Sequence, residues 1–157
     1  MMSDTLSLYT IAAAGALGAV GLGGGIYETA LIDRAWPRTP MLIQPARGGI
    51  DRKRFWIPAH GAFEVALAVA IWSTWADRLV RPWVWAALAA HLATRLWSWV
   101  YFIPKAMRFE AGETDAAEVA SRAAETWVRL SRWRLPLELA ALACLFVALA
   151  QWAVSTR

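Results

Sequence analysis

From Leu6 to Tyr27 the chain runs without a single charged side chain. A helix needs about 20 residues to cross roughly 30 Å of hydrocarbon, so this stretch alone is long enough to span a bilayer. Similar stretches occur at about 55–75, 82–104 and 135–154, and the first extends to about residue 32. No basic residue precedes the first stretch, it is too long for a signal-peptide core, and its tail lacks a cleavage pattern, so it reads as a retained helix. Composition points the same way. With 59% hydrophobic and 18% charged residues in 157, the chain has too little polar surface to cover a soluble domain. Its one cysteine, Cys144, excludes a disulfide scaffold and a Cys-built metal centre. The expected fold is all-α: one integral membrane domain over 1–157, built as a four-helix bundle.

The formal charge of +4 raises the question of nucleic acid, but the positive residues flank apolar segments, so the expected partner is membrane lipid and no nucleic acid. The connection over 33–54 holds Arg34, Arg38, Arg47, Arg52, Lys53 and Arg54, and the one over 105–134 holds Lys105, Arg108, Arg122, Arg129, Arg132 and Arg134. The opposite side has only Arg78, Arg81 and Arg157. Basic loops resist translocation, so both long connections are expected in the cytoplasm and both termini on the periplasmic or exterior side. Trp36, Trp56, Trp75, Trp83, Trp133 and Trp152 fall near span ends and read as interface anchors.

The loop from Trp36 to Gly49 carries Pro37, Pro40, Pro45 and Gly48-Gly49, which predicts irregular but ordered backbone. Residues 115–134 predict a cytoplasmic amphipathic helix instead. Asp115 and Glu118 have capping-box spacing, while Ala117, Ala120, Ala124, Trp127, Val128 and Ser131 recur at helical period, and Pro136 marks a kink at entry to the fourth span. The first span holds Gly15, Gly18, Gly21, Gly23, Gly24 and Gly25, with Gly21 and Gly25 in small-xxx-small register. Packing inside the bundle is the plain reading, and a homo-oligomer face the sharper one.

Ionisable residues at membrane depth are costly and normally face a bundle interior. Here they are Glu28, His60, Glu64, His91, Arg95 and Glu138, and all four spans contribute. Helical rise puts Glu64 roughly 14 Å from Phe55 and Arg95 roughly 14 Å from Pro104, so the two can meet at one depth. His60 and Glu64 share a helix face, as do His91, Arg95, Ser98 and Phe102. Three readings compete: an ionic network that only holds the bundle together, a small-molecule pocket, and a metal or haem site. The last is the weakest. Paired Glu-x-x-His repeats are absent, and His91 is expected roughly 12 Å deeper than His60, too far for two axial ligands of one iron. No metal and no cofactor are expected.

Gly24-Gly25-Ile26-Tyr27-Glu28, Trp36-Pro37, Arg54-Phe55-Trp56-Ile57-Pro58-Ala59-His60 and Trp97-Ser98-Trp99-Val100-Tyr101-Phe102-Ile103-Pro104 carry a resemblance. The chain resembles an uncharacterised bacterial four-helix membrane family similar to the anthrone-oxygenase-like group. The likeness covers most of the chain and implies a bacterial inner-membrane fold and an oxygenase-like activity, with no catalytic motif to carry over.

Together these readings predict a cytoplasm-facing polar pocket that binds a small lipophilic aromatic or polycyclic carbonyl compound and transforms it in an oxygenase- or isomerase-like reaction. His60 is the expected acid/base, Glu64 its orienting partner and Arg95 the anion stabiliser. Glu28, Tyr101, Glu138, His91 and Ser98 are expected to line the site. The rival expectation is a non-enzymatic accessory or assembly protein whose polar network is structural.

Overall fold

The apolar periodicity of the sequence is realised as helix throughout. A computed structural model describes residues 2–113 and 117–155, and among them there is no strand. Helix α1 spans Met2–Tyr27, α2 Asp33–Ala35, α3 Lys53–Ser73, α4 Arg81–Trp97, α5 Ile103–Ala111, α6 Ala117–Ser131 and α7 Arg134–Ser155. Two single π-helical turns, Glu28–Ile32 and Ser98–Phe102, join α1 to α2 and α4 to α5. The capping pair Asp115 and Glu118 lies outside the residues whose side chains are described.

Three helical segments are long and apolar enough to cross a membrane: Thr5–Ala35, Lys53–Ser73 and Ser121–Ser155. The helix at the third expected span is not among them, and that span carries Arg81, His91, Thr94, Arg95 and Ser98. None of these is fully exposed: His91, Thr94 and Ser98 are buried, and Arg81 and Arg95 are partly covered. The low hydropathy of α4 therefore reflects a polar inner stripe.

Helix α1 packs on α3 and α7, and α7 packs on α4, while α3 meets α4 only sparsely. The result is a ring of four long helices with one loose seam. The Ser7 hydroxyl donates to the Ser73 carbonyl at 2.9 Å and that of Ser155 to Asp77 Oδ2 at 3.4 Å, so both termini and the α3–α4 link share one end. The two long connections occupy the other.

Apolar packing is divided along the bundle axis. Toward the terminal end, Ile11, Phe63, Leu67, Val80, Val84 and Leu145 form one buried cluster. Toward the connection end, Trp36, Ile43, Phe102, Phe109, Trp127 and Val128 form another. Trp36 is thus a core residue, 2% exposed, with its ring 5.1 Å from Phe109, rather than the interface anchor its position near a span end suggests. Its indole N–H donates to Asp33 Oδ1 at 3.0 Å, which satisfies the polar edge and frees the ring for burial. Pro136 sits in the first turns of α7, and the break lies just before it, at Arg132 and Trp133.

The Trp36–Gly49 loop is ordered as expected, in short 3₁₀ turns over Pro40–Ile43 and Pro45–Arg47. Gly48 closes it with φ +84°, and a Cβ on Gly49 would lie 2.2 Å from the Met41 carbonyl oxygen. Both glycines are demanded by the backbone. Gly21 differs, because nothing lies within 4 Å of the Cβ it would carry. Gly49→Ala should therefore cost about 1–3 kcal/mol of stability by overpacking, whereas Gly21→Ala should gain about 0.5–1 kcal/mol from helix propensity. Thermal unfolding in detergent should separate the pair with opposite signs, and equal melting temperatures would contradict the close approach at Gly49.

Candidate functional site

Between the two apolar clusters lies a polar layer. Glu28 and Ser98 each begin a π turn, α3 supplies Trp56 and His60, and α7 supplies Arg134 and Glu138. With Asp33, Thr94, Ser131 and their neighbours they line a cavity of about 20 Å³. That is room for about one water molecule or one oxygen-bearing group, and no more.

The walls are tied by hydrogen bonds. Trp56 Nε1 donates to Glu28 Oε2 at 2.7 Å, and the Trp56 ring stacks on His60 with centroids 5.2 Å apart at 21°. The Ser131 hydroxyl donates to Asp33 Oδ2 at 3.2 Å. Arg134 is held more weakly, with Nε donating to the Ser131 carbonyl at 3.4 Å and Nη1 to Ser98 Oγ at 3.5 Å, and its guanidinium lies 4.5 Å from the Phe102 ring centre. Among the described residues it makes no ion pair. Glu138 Oε2 is buried with no hydrogen-bond partner among them. The cavity thus combines a cation lacking a carboxylate with an acid lacking a donor.

A second polar cluster occupies the loose α3–α4 seam. Glu64 Oε1 lies 2.9 Å from Arg95 Nε and 3.3 Å from His91 Nε2. The Arg95 contact is one of charge, since its Nε–H finds no acceptor in hydrogen-bonding geometry. Arg95 also lies over the Trp99 ring at 5.3 Å, and His91 meets Phe63 edge-on at 4.8 Å. The Glu64 side chain is 43% exposed, so the seam opens sideways at its carboxylate. His60 connects the clusters: it lines the cavity, and its ring centre is 6.1 Å from that of His91.

The residues singled out from sequence therefore separate into three places. Glu28, His60, Ser98 and Glu138 line the cavity. Glu64, His91 and Arg95 form the seam, where Glu64 partners His91 rather than His60. Tyr101 belongs to neither: its ring packs against Phe102 at 5.0 Å with Lys105 Nζ 4.0 Å above it. The cause is the π turn, which inserts an extra residue after Ser98 and rotates Tyr101 and its successors out of the α-helical register. Sequence reasoning missed Arg134, which it counted only among the charges of the 105–134 connection. The signal was present, because Arg134 and Glu138 are four apart and share a helix face. Asp33, Arg52 and Trp56 carried no such signal.

Among the described residues, no group of three or more His, Cys, Asp or Glu side chains is placed to hold a metal ion.

Arg52 anchors the polar layer from the connection end. Its Nη1 donates to Glu28 Oε1 at 2.8 Å and its Nη2 to Glu110 Oε1 at 2.9 Å, with Lys53 Nζ 3.0 Å from Glu110 Oε2. Burial pulls the guanidinium pKa down, but the two carboxylates outweigh it and hold the pKa above its ordinary value. The charge is permanent. No family model, characterised protein or solved structure matches this chain, so function is argued from its geometry. Arg52→Ala takes the counter-charge from buried Glu28 and leaves Glu110 with Lys53 alone, and should cost about 3–5 kcal/mol. Arg54→Ala breaks only an exposed contact to Asp51 and should cost at most about 1 kcal/mol. Denaturant or thermal melts of the two variants should reproduce that order.

Proposed function

We propose that the chain is a four-span protein of the bacterial inner membrane that binds a small lipophilic carbonyl compound and moves a proton beside its carbonyl group. The observation that carries this reading is the convergence of His60, Arg134, Ser98 and Glu138 on one cavity of oxygen-atom size. His60 is the base. Stacking on Trp56 fixes the plane of its ring, and the cavity leaves a reacting group beside it. Removing a proton next to a carbonyl drives negative charge onto the oxygen, which a cation and a hydroxyl donor stabilise. Arg134 and Ser98 suit that role better than Arg95, because Glu64 already neutralises Arg95. Returning the proton at another carbon completes an isomerisation, with no other reactant needed. The resemblance to the anthrone-oxygenase-like group supports the choice of aromatic and polycyclic ketones as substrate class.

A non-enzymatic reading, in which the network is structural glue in an accessory or assembly protein, draws support from the Glu28–Arg52–Glu110 chain. His60→Gln distinguishes them, since it keeps hydrogen-bonding capacity while removing the titrating ring. With 2-tetralone in deuterated buffer, wild-type protein should accelerate deuterium uptake beside the carbonyl. His60→Gln should lose that acceleration by about 100-fold or more while melting normally. Equal exchange rates in the two proteins would remove His60 from the mechanism, and a lowered melting temperature with no exchange activity in either would favour the structural reading.

The membrane topology has its own test. Reporter fusions after Gly49 and after Gly112 should report cytoplasm, and one at the C-terminus should report the exterior. A cytoplasmic C-terminus would overturn the four-span reading.

A further inference from the structure

Glu64 occupies an unusual place for a charged residue. By helical rise it lies roughly 16 Å from Lys53 and roughly 13 Å from Ser73, the two ends of a segment long and apolar enough to cross a membrane, so it stands near mid-depth. Its side chain is nonetheless 43% exposed. The exposed residues of α3 around it are Gly61, Ala62, Val65 and Ala68, and α4 adds Leu92, Leu96 and, just beyond its end, Trp99. None is charged, so the opening belongs to the hydrocarbon-facing surface.

Two observations define what that opening can hold. Both partners of Glu64, Arg95 Nε at 2.9 Å and His91 Nε2 at 3.3 Å, meet Oε1, while Oε2 has no hydrogen bond or ion pair among the described residues. A carboxylate accepts through both oxygens and lipid tails carry no donor, so Oε2 leaves a cost that a bound donor removes. The other observation is room. Gly61 precedes Glu64 by three residues on the same helix face, and nothing lies within 4 Å of the Cβ it would carry, which leaves an indentation beside the carboxylate.

Charge and shape narrow the donor further. Glu64 and Arg95 already cancel each other, so a charged head of either sign finds no counter-charge at this depth, and a neutral hydroxyl suits Oε2. Trp99 is exposed next to Arg95, whose guanidinium lies 5.3 Å from its ring centre, and it offers an aromatic surface near the carboxylate. A phenol supplies both parts, a strong hydroxyl donor and a ring. An aliphatic lipid alcohol supplies only the first.

We infer that the α3–α4 seam is a site, open to the bilayer, for a neutral lipophilic phenol that donates its hydroxyl to Glu64 Oε2 and lays its ring against Trp99. The site rests on the placement of α3 and α4 across the bilayer and not on proton transfer at His60. The ion pair with Arg95 stays closed when the phenol binds, because the ligand uses the other oxygen of the carboxylate.

3-Hydroxybenzophenone is a suitable probe, being lipophilic, phenolic and photoreactive, and its methyl ether lacks only the donor. Wild-type protein in phosphatidylcholine nanodiscs, illuminated with each compound and mapped by peptide mass spectrometry, should be labelled saturably by the phenol over 61–65 and 92–99. Labelling by the ether should be weaker by about tenfold, which corresponds to about 1.4 kcal/mol of binding. 2-Naphthol should displace the probe, and 1-dodecanol should not. Gly61→Leu fills the indentation while leaving Glu64 its partners, and should also lower the labelling by about tenfold. Gly23→Leu on α1, where a Cβ again meets nothing within 4 Å, should leave it unchanged. Equal labelling by phenol and ether, or unchanged labelling in Gly61→Leu, would overturn the assignment. So would displacement by 1-dodecanol as effective as by 2-naphthol, which gives the opening to a lipid hydroxyl. Absence of saturable labelling, with deuterium uptake into 2-tetralone intact, would overturn the seam site and leave the proposed function standing. Labelling as expected without deuterium uptake would do the reverse, and failure of both would remove both.

Discussion

Arg52 is the fixed point on which the connection end of the molecule depends. It stands at the entrance to α3, yet its guanidinium reaches Glu28 beyond the end of α1 and Glu110 in α5, and lies 5.5 Å from the Trp127 ring of α6. Four elements distant in sequence are tied by one planar, permanently charged group whose fork fits two carboxylates at once. Because Glu28 is held on one oxygen by Arg52 and on the other by Trp56, the ring of Trp56 is held too, and with it the stack on His60. The orientation of the candidate base is thus set by an ion pair two residues removed from it.

The two π turns explain how so many polar groups reach one level. Each adds a residue to a turn, and each begins at a residue of the polar layer, Glu28 in one case and Ser98 in the other. A uniform α-helix through Ser98 keeps Phe102 in line with His91 and Arg95, as heptad reasoning assumes. With the π turn, Phe102 rotates into the aromatic cluster under Trp127, at 5.5 Å, and its carbonyl accepts from the Trp127 indole at 3.1 Å. Local widening of the helix is therefore the device that lets α4 present His91, Thr94 and Ser98 to the interior and still deliver Phe102 to the second core. Such turns concentrate where geometry serves something other than regular packing.

The features legible in the sequence are those that depend on composition and period. The long apolar helices, the ordered Pro- and Gly-rich loop and the inward stripe of His91, Arg95 and Ser98 all derive from residue type and spacing. The meeting of Glu64 with Arg95 follows from helical rise, because the π turn between Arg95 and Pro104 changes depth by no more than one residue's rise, roughly 1.5 Å. Trp36, Tyr101 and Arg134 escape the sequence for different reasons. Trp36 looks like an interface anchor until Asp33 supplies a partner for its N–H; Tyr101 lies downstream of a phase shift that no pattern announces. Arg134 counts among a loop's charges by position, although the turn at Arg132 and Trp133 starts a new helix and directs it inward.

The division between cavity and seam has a consequence for the energetics of the proposed bilayer. Glu64 and Arg95 neutralise each other at a side opening, where an uncompensated charge at depth is very costly, and this pairing removes Arg95 from service as an anion stabiliser. Arg134 has the opposite arrangement. Its charge is balanced at longer range by the acids of the same layer, its near neighbours are a hydroxyl, a carbonyl and an aromatic face, and its hydrogen bonds are long. A cation held this loosely in a space of water size keeps donor capacity in reserve, and an oxygen atom gaining negative charge is the partner that draws most on it. The same physics that makes Glu64 and Arg95 good structural partners makes Arg134 the better fit to the proposed chemistry.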